Sequence, residues 1–481
     1  MQQGSSDSTN EHLTSKNRNK YILGMAYFYV LLFIGLIGYM CYFMMYQSNE
    51  YLNSTYNKRL DKLSESVTRG SILASDGSTL ADTTVNRDKS VTRNYPYKNQ
   101  FAQVVGYSTR GQTGIEAITN YTLLNTSEDT WSKIKKQIFD EPIYGNSVVT
   151  TLNPKIQKIV YDAMGDKKGA CVVMEPSTGR ILAMVSKPDY NPNKINQIYD
   201  ELVSDNKNSN LVNRATRGQY SPGSTFKIVT LLEYIKENPD TYEDFSYNCT
   251  GSITYEGKTV KCSHGAHGVV NLKQAFAKSC NGAFITMGLS LNMRSFRKTA
   301  KTLLFNDSIP FEISSKQSSF DLTSKSSDWD IMQTVFGQGK TLVTPLHNAL
   351  ILSAIANGGV LMKPYVVESI QSPSGKEVDK VLPETYKTLM SPKEAEILKE
   401  YMVYCVNRGT GKVVKTKKYQ AAAKTGSAET KSTSEANAWF VSFAPADEAK
   451  VVVSVVLEEA GAGGENAGPI AKKVFDALLV D

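Results

Sequence analysis

The longest apolar stretch of the chain lies near its N-terminus. Residues 21–46 (YILGMAYFYVLLFIGLIGYMCYFMMY) contain no charged side chain. At about 1.5 Å per residue, a helix of this length crosses a hydrocarbon core of about 30 Å with room for tilt. A cleaved signal peptide would have a shorter apolar region, followed by small residues at a cleavage site. The pattern predicts one transmembrane helix over residues 21–46, preceded by a polar, disordered tail over residues 1–20.

The charges that flank this span predict its orientation. Lys16, Arg18 and Lys20 precede it, and the one nearby acid is Glu11. Positive residues collect on the cytoplasmic side of membrane spans. We therefore expect a single-pass membrane protein, with its N-terminus in the cytoplasm and everything after about residue 47 outside.

The polar and apolar pattern after the span predicts a small first domain. Residues 57–83 (NKRLDKLSESVTRGSILASDGSTLADT) favour a short helix and then strands around a turn at residues 75–77. Residues 47–150 contain no cluster of chemically useful side chains. They are predicted to form a pedestal domain that lifts the following domain away from the membrane.

A second domain is predicted over residues 151–481. Asn153-Pro154 is typical of a helix N-cap followed by proline at the first helical position. Residues 169–186 (GACVVMEPSTGRILAMVS) predict a hairpin with one face buried. Residues 211–360 have mainly helical patterns, and three strand-like segments and a closing helix follow near the C-terminus. Two early and three late strands with helices between them indicate an α+β fold, whose antiparallel sheet is completed by both ends of the domain.

Composition adds little to this picture and excludes one class of partner. Of the 481 residues, 41% are apolar and 21% are charged, and the formal net charge is +7. These proportions are ordinary for a globular protein. Because the excess positive charge is spread along the chain without a long basic run, no nucleic-acid partner is predicted.

Candidate chemistry first appears in SPGSTFKIVTLLEYIK, residues 221–236. Pro222-Gly223 breaks the chain before apolar residues recur at helical spacing, so Ser224 falls in the first turn of a helix and Lys227 lies on the same face. A serine hydroxyl needs a base to remove its proton. A lysine whose pKa is lowered by burial and neighbouring positive charge can serve as that base. Ser-x-x-Lys alone is a weak signal, because many helices carry it by chance with the serine as cap.

Two later motifs strengthen the prediction. Ser279 and Asn281 flank Cys280 at a predicted break between helices, and Lys424-Thr425-Gly426 lies in a strand-like run. A glycine in such a strand lets a substrate backbone approach, and a lysine with hydroxyls can hold a carboxylate. Ser-x-x-Lys, Ser-x-Asn and Lys-Thr-Gly in this order are far more specific than any one of them.

With these motifs the chain resembles a class B penicillin-binding protein. The resemblance extends to RGSILASDGSTLA (69–81), GQTGIEAITN (111–120), GACVVMEPSTGRILAMVSKPDYNPN (169–193), NRATRGQYSPGSTFKI (213–228) and VFGQGKTLVTPLHNALILSAIANGG (335–359). It implies a transpeptidase domain of the penicillin-binding and serine β-lactamase type, an antiparallel sheet flanked by helices, on an N-terminal pedestal. Ser427 stands where a threonine is common after Lys-Thr-Gly, which keeps a hydroxyl there.

The resemblance implies a peptidoglycan D,D-transpeptidase that is acylated by β-lactams and needs no cofactor for acyl transfer. It assigns the nucleophile to Ser224, the base to Lys227 and a proton relay to Ser279. The remaining assignments are a substrate amide contact for Asn281, a carboxylate site at Lys424, Thr425 and Ser427 beside Gly426, and an oxyanion hole from the backbone N–H groups of Ser224 and Ser427. The implied partners are stem peptides, the cytoplasmic membrane and a membrane glycosyltransferase of the shape, elongation, division and sporulation type.

Other functions stay open on the sequence. The same fold could transfer the acyl group to water, as in a D,D-carboxypeptidase or a β-lactamase. An inactive penicillin-binding scaffold within a wall-synthesis complex is the non-enzymatic alternative. A Ser-His-Asp triad is disfavoured, because no sequence feature ties a histidine to Ser224.

A cysteine-rich segment suggests a second site. Cys249, Cys262, His267 and Cys280 fall within 32 residues, counted from 249 to 280, and the first two flank a predicted hairpin. Thiolates and an imidazole are suitable zinc ligands. Some class B penicillin-binding proteins resemble this region and hold a zinc beside the active site, which implies these four ligands here, with His264 as the alternative imidazole. A Cys249–Cys262 disulfide and free thiols remain the other possibilities.

Overall fold

The computed structural model of the protein describes residues 7–53, 57–205, 207–429 and 435–480. The chain divides into two units at Arg59. The first contains α1 (Asp7–Tyr42), a π-helical turn (Phe43–Gln47) and α2 (Ser48–Asn53). Within the described residues, Asn19–Met45 is the one helical stretch long and apolar enough to cross a membrane.

The prediction of disorder over residues 1–20 is wrong from Asp7 onward. The described part of this tail, from residue 7, is continuous with the apolar helix. Extending an existing helix fixes one residue for each new hydrogen bond, whereas starting a helix needs a costly nucleus. The apolar segment therefore supports helical turns that the polar sequence alone would not predict.

The second unit begins at Leu60, within the first helix of the pedestal. Its elements in chain order are α3 (Lys58–Ser66), β1 (Ile72–Leu73), β2 (Thr79–Val85), β3 (Val91–Asn94), α4 (Ala102–Val105), α5 (Gly114–Ile118), α6 (Asn120–Leu124), α7 (Thr130–Ile138) and β4 (Ser147–Thr150). The predicted short helix and the strands around the turn at residues 75–77 are confirmed.

The helices and strands that follow make up the larger part of the unit. In chain order, those up to residue 271 are α8 (Pro154–Met164), β5 (Gly169–Met174), β6 (Ile181–Lys187), α9 (Ile195–Ser204), α10 (Arg214–Arg217), α11 (Lys227–Glu237), β7 (Ser246–Cys249), β8 (Ser252–Tyr255), β9 (Lys258–Lys261) and β10 (Gly268–Asn271). Next come α12 (Leu272–Ala277), α13 (Asn281–Ser290), α14 (Met293–Thr302), α15 (Asp328–Val335), α16 (Pro345–Ala356), β11 (Val360–Met362), β12 (Val367–Gln371), β13 (Glu377–Lys380), β14 (Thr385–Thr388), α17 (Pro392–Arg408), β15 (Ala422–Ala428), β16 (Asn437–Ala444), β17 (Val451–Leu457), α18 (Gly463–Asn466) and α19 (Gly468–Leu479).

A six-stranded sheet forms the frame of the pedestal. Its order is β13–β12–β4–β1–β2–β3, so two strands from residues 367–380 join strands from the N-terminal region. Beside it, the fully buried carboxylate of Glu116 pairs with Arg69 at 2.6 Å and Arg93 at 2.7 Å. Burial opposes ionisation of Glu116, but the two guanidinium groups outweigh it and hold the pKa of this carboxyl below its ordinary value.

The antiparallel sheet predicted from the two ends of the second domain is confirmed. Its order is β15–β16–β17–β5–β6, with β15 at one edge. The hairpin of β5 and β6 was predicted to have one face buried, and this is wrong, because every residue of β5 is buried. Helices α8 and α19 pack on one face of the sheet and α16 on the other. Alternate residues therefore enter two separate cores, Val173 one and Val172 the other.

The N-cap of α8 is also confirmed. The Asn153 side chain accepts a hydrogen bond from the Ile156 N–H at 3.1 Å, and Pro154 occupies the first helical position. This helix covers the sheet on the side away from α11 and so stabilises the platform that carries β15.

Candidate active site

Ser224 lies in a short 3-10 turn, Gly223–Phe226, that leads directly into α11. This turn is pressed against β15: Gly223 has φ of 53°, and a Cβ at this position would lie 2.8 Å from the Ser427 carbonyl oxygen. On its other side the Gly223 N–H donates to the Gly337 carbonyl at 2.8 Å. The turn is therefore fixed between two segments, and it presents Ser224 at the wall of a cleft.

Lys227 is fully buried one turn after Ser224. Its Nζ donates to the Ser279 carbonyl and to Asn281 Oδ1, each at 2.7 Å, and lies 3.2 Å from Ser279 Oγ. Burial, and then the positive charge of Lys424, hold the pKa of Lys227 well below its ordinary value. A neutral amine has two hydrogens, which the two short contacts use, so its lone pair is left to accept a proton from a hydroxyl.

Ser279 ends α12 in a left-handed conformation. Its φ is 56°, its N–H donates to the Phe276 carbonyl at 3.1 Å, and the Cys280 N–H donates to the Ala275 carbonyl at 2.9 Å. This pattern is a Schellman motif, in which glycine usually takes the left-handed position. The strained turn directs both the carbonyl and the hydroxyl of Ser279 toward Lys227.

Lys424 comes from β15 and meets the same hydroxyl. Its Nζ donates to Ser279 Oγ at 3.0 Å and to the Thr425 carbonyl at 2.9 Å. Burial lowers the pKa of Lys424 to about 8, so it is mainly cationic at neutral pH. With Lys424 donating to Ser279 Oγ, the Ser279 hydroxyl hydrogen is free to point at Lys227.

A cleft of about 470 Å³ runs along the outer edge of β15. Its lining includes Ser224, Ser279, Thr425, Gly426 and Ser427, and Ser427 is exposed. Because β15 is the last strand of its sheet, its free edge can pair with an extended peptide. A Cβ at Gly426 would lie 3.1 Å from the Pro222 carbonyl oxygen, which explains the glycine.

The structure places further residues in the cleft that the sequence did not single out. The most direct is Thr410, whose Oγ1 lies 2.6 Å from Thr425 Oγ1. Its N–H donates to the Ala277 carbonyl at 3.1 Å, two residues before Ser279. The cleft also includes the segment 461–465 (GAGGE). Glycine-rich sequence marks both regions, but it carries no chemical signal by itself.

The four predicted metal ligands form one compact cluster. Cys249 Sγ lies 3.7 Å from Cys262 Sγ and 3.4 Å from His267 Nδ1, and Cys262 Sγ lies 3.8 Å from Cys280 Sγ. All four ligand atoms lie within 4.8 Å of one another. His264 instead lines the active-site cleft. Among the described residues no two cysteines form a disulfide, and the predicted hairpin of β8 and β9 lies between Cys249 and Cys262.

These spacings suit a tetrahedral metal. Zn–S bonds of about 2.3 Å and Zn–N bonds of about 2.0 Å place two sulfurs about 3.8 Å apart, and sulfur and nitrogen about 3.5 Å apart. The separations of 3.7 Å and 3.8 Å between sulfurs and of 3.4 Å between Cys249 Sγ and His267 Nδ1 match these values. The residues present therefore fit zinc.

Family models match most of the chain. A model described as penicillin binding protein transpeptidase domain matches residues 169–476, and one described as penicillin binding protein A dimerisation domain matches residues 69–148. The peptidoglycan D,D-transpeptidase PbpA of Mycobacterium tuberculosis is 33% identical over 422 residues, covering 80% of this chain and 84% of that protein. The chain is a class B penicillin-binding protein.

Solved structures agree with this assignment. The imipenem acyl-enzyme complex of penicillin-binding protein A from M. tuberculosis has a TM-score of 0.79 and 32% identity, covering 87% of this penicillin-binding protein and 100% of that chain. The D,D-transpeptidase domain of a peptidoglycan glycosyltransferase from Eggerthella lenta has a TM-score of 0.76 and 31% identity, covering 85% and 99% of the two chains. The predicted fold class is confirmed by these similarities.

Proposed function

We propose that Ser224 is the nucleophile with which this D,D-transpeptidase joins two peptidoglycan stem peptides. The observation that carries the proposal is the environment of Lys227. A buried amine of lowered pKa lies one helical turn from a serine at the cleft wall, with both of its hydrogens held by the second motif. A base in this state can take a hydroxyl proton at neutral pH.

Acyl transfer then depends on a proton relay through Lys227 and Ser279. Ser224 Oγ attacks the carbonyl carbon of the penultimate D-Ala as its proton passes to Lys227. The C–N bond to the terminal D-Ala breaks, and the departing amine receives that proton through Ser279, whose Oγ lies 3.2 Å from Lys227 Nζ. An amine of a second stem peptide next attacks the ester carbonyl, loses its proton through the same relay, and releases Ser224 with its hydroxyl restored.

Substrate binding is assigned to the edge of β15. We infer that Lys424, Thr425 and Ser427 hold the terminal carboxylate, and that the backbone N–H groups of Ser224 and Ser427 form the oxyanion hole. Asn281 Nδ2 donates to the Lys261 carbonyl at 2.8 Å, and its second hydrogen remains for a substrate amide. A β-lactam would acylate Ser224 in the same way, but its leaving amine stays attached, which favours a long-lived adduct.

We also propose a structural zinc held by Cys249, Cys262, Cys280 and His267 Nδ1. Zinc at this place would cross-link strands β7 and β10 to the turn that carries Ser279 and Asn281. The buried Nε2 of His267 has no protein partner among the described residues. No step of the acyl transfer passes through this metal.

The membrane placement belongs to the same proposal. The helix Asn19–Met45 would anchor the protein, with the basic N-terminal residues in the cytoplasm and the domains over residues 47–150 and 151–481 outside. A class B protein cross-links glycan strands that another enzyme polymerises. We therefore propose a membrane glycosyltransferase of the shape, elongation, division and sporulation type as its partner.

The intact mass of the full-length protein in detergent, before and after penicillin, tests this function. We expect one persistent penicilloyl adduct, which the Ser224→Ala variant lacks. Rapid loss of the adduct as hydrolysed penicillin would instead indicate transfer to water. A folded wild-type protein that forms no adduct would contradict the nucleophile assignment and favour the scaffold.

A further inference from the structure

The pedestal helix α7 turns its apolar side chains away from the protein. At 3.6 residues per turn, Trp131, Ile134 and Ile138 lie within an arc of about 60°. All three are exposed, Trp131 by 77% and Ile138 by 72%. Ser132 and Lys136, on the other side of the helix, are half-buried. A surface helix normally has the reverse arrangement, with its apolar stripe on the core.

The polar side of α7 makes specific contacts with the residues directly before the helix. Asp129 caps the helix, accepting from the Ser132 N–H at 2.9 Å and from Ser132 Oγ at 2.7 Å. Lys136 forms an ion pair with Glu128. These contacts leave the apolar side chains of α7 exposed, and an exposed apolar patch of this kind marks an interaction surface.

The C-terminal end of α7 lies beside the end of α3. The Thr68 N–H donates to the Ile143 carbonyl at 2.7 Å, and the Gly145 N–H donates to the Thr68 carbonyl at 2.8 Å. One cleft is lined both by residues 64–69, at the end of α3, and by Gln137 and residues 140–143. Because α3 is the helix in which the second unit begins, α7 lies at the end of the pedestal where the chain enters it.

We propose that α7 is an interfacial helix that lies in the outer surface of the cytoplasmic membrane, an inference that rests on the proposed membrane anchor. The helix contains lysines but no acid. Lys135 falls between Trp131 and Phe139 around the helix, where its long side chain can reach lipid headgroups. The neighbouring acid Asp140 is paired with Lys89 at 2.6 Å. Tryptophan and phenylalanine on one side with lysine beside them suit a bilayer interface.

Tryptophan emission from the full-length protein tests this placement. The chain has three tryptophans, and none lies in the membrane-spanning stretch. Trp439 is fully buried, and Trp329 packs partly against the core. In vesicles of zwitterionic and anionic lipids brominated on their acyl chains, we expect roughly a third of the emission to be quenched, and the Trp131→Phe variant to lose this quenching.

Two further variants separate lipid insertion from other effects. Ile134→Glu with Ile138→Glu should abolish the quenching of Trp131 while leaving the penicillin adduct unchanged. Leu382→Glu is the matched control, because Leu382 is also 72% exposed but lies outside α7, and it should preserve the quenching. If the wild-type protein bound vesicles without quenching, the proposal would be overturned. That result would favour binding of α7 in a groove of a partner protein. Failure of the chain to float with vesicles would instead overturn the anchor, and the interfacial helix with it.

Discussion

Ser279 combines a strained backbone with a reactive side chain. A left-handed conformation costs a non-glycine residue about 1 kcal/mol or more, and such strain collects at functional sites. Its hydroxyl contacts both Lys227 and Lys424. Ser279 therefore lowers the stability of the fold slightly, but it places a hydroxyl between two amines.

The Ser279→Gly variant tests whether Ser279 lowers stability while its hydroxyl serves catalysis. We expect its free energy of unfolding to equal that of Ser279→Ala or to exceed it by up to about 1 kcal/mol. The reason is that glycine adopts φ of 56° without strain. Both variants should acylate about 10²-fold more slowly with penicillin, since each lacks the relay hydroxyl. Denaturant unfolding and acylation rates measure the two effects. A glycine variant clearly less stable than the alanine variant would contradict the strain.

Thr410 is expected to position Thr425 for the substrate carboxylate. Loss of one hydrogen bond of this type is worth about 1 kcal/mol, so Thr410→Val should lower the acylation efficiency by roughly fivefold. The loss should appear mainly in KM, and Thr410→Ser should restore it, because serine keeps the 2.6 Å contact to Thr425 Oγ1. A variant that lost kcat alone, or that serine failed to rescue, would argue against positioning.

At the scale of elements, the cysteine cluster connects β7, β10 and the start of α13. Metal analysis of the full-length protein should find one zinc per chain, and Cys249→Ser should lose it. Because metal binding is coupled to folding, we expect this variant to have a lower Tm by about 2 °C or more and slower acylation. Cys41→Ser, outside the cluster, is the control. A metal-free wild-type protein with Cys249 bonded to Cys262 would contradict the zinc site.

Sequence patterns predicted most of these elements because their causes are local. The N-cap at Asn153, the strands of the five-stranded sheet and the break at Ser279 each follow from a few neighbouring residues. Burial of both faces of β5 was missed, since alternation was assumed although its sequence is apolar throughout. The outward orientation of the apolar side of α7 was also missed. The spacing of apolar residues along a helix is the same whichever side of the helix faces the core.

At the scale of the whole molecule, the buried pairs of Glu116 stabilise the pedestal. Breaking a buried ion pair leaves an uncompensated charge and costs about 3–5 kcal/mol. We expect Glu116→Gln to lose that much free energy of unfolding, whereas Asp162→Asn, which removes an exposed pair with Lys158, should change it by less than about 1 kcal/mol. Chemical denaturation measures both. Equal effects would show that the buried pairs contribute no more than a surface pair.

The domain boundary near residue 150 remains a prediction. Strands β12 and β13 extend the pedestal sheet from far along the chain, and β4 pairs with both β1 and β12. No local pattern could reveal this, because the partners of β4 are separated by about as many residues as a whole domain contains.

The sequence by itself determined the apolar span, the strands and helices of the transpeptidase domain, and three motifs in a fixed order. These depend on periodicity and on residue types that lie close together along the chain. Only the folded structure shows that burial and Lys424 lower the pKa of Lys227, that Ser279 is held left-handed between two lysines, and that Lys424 reaches it across 145 residues. The lowered pKa and the shared hydrogen bonds arise from burial and from contacts between remote segments, which exist only once the chain has folded.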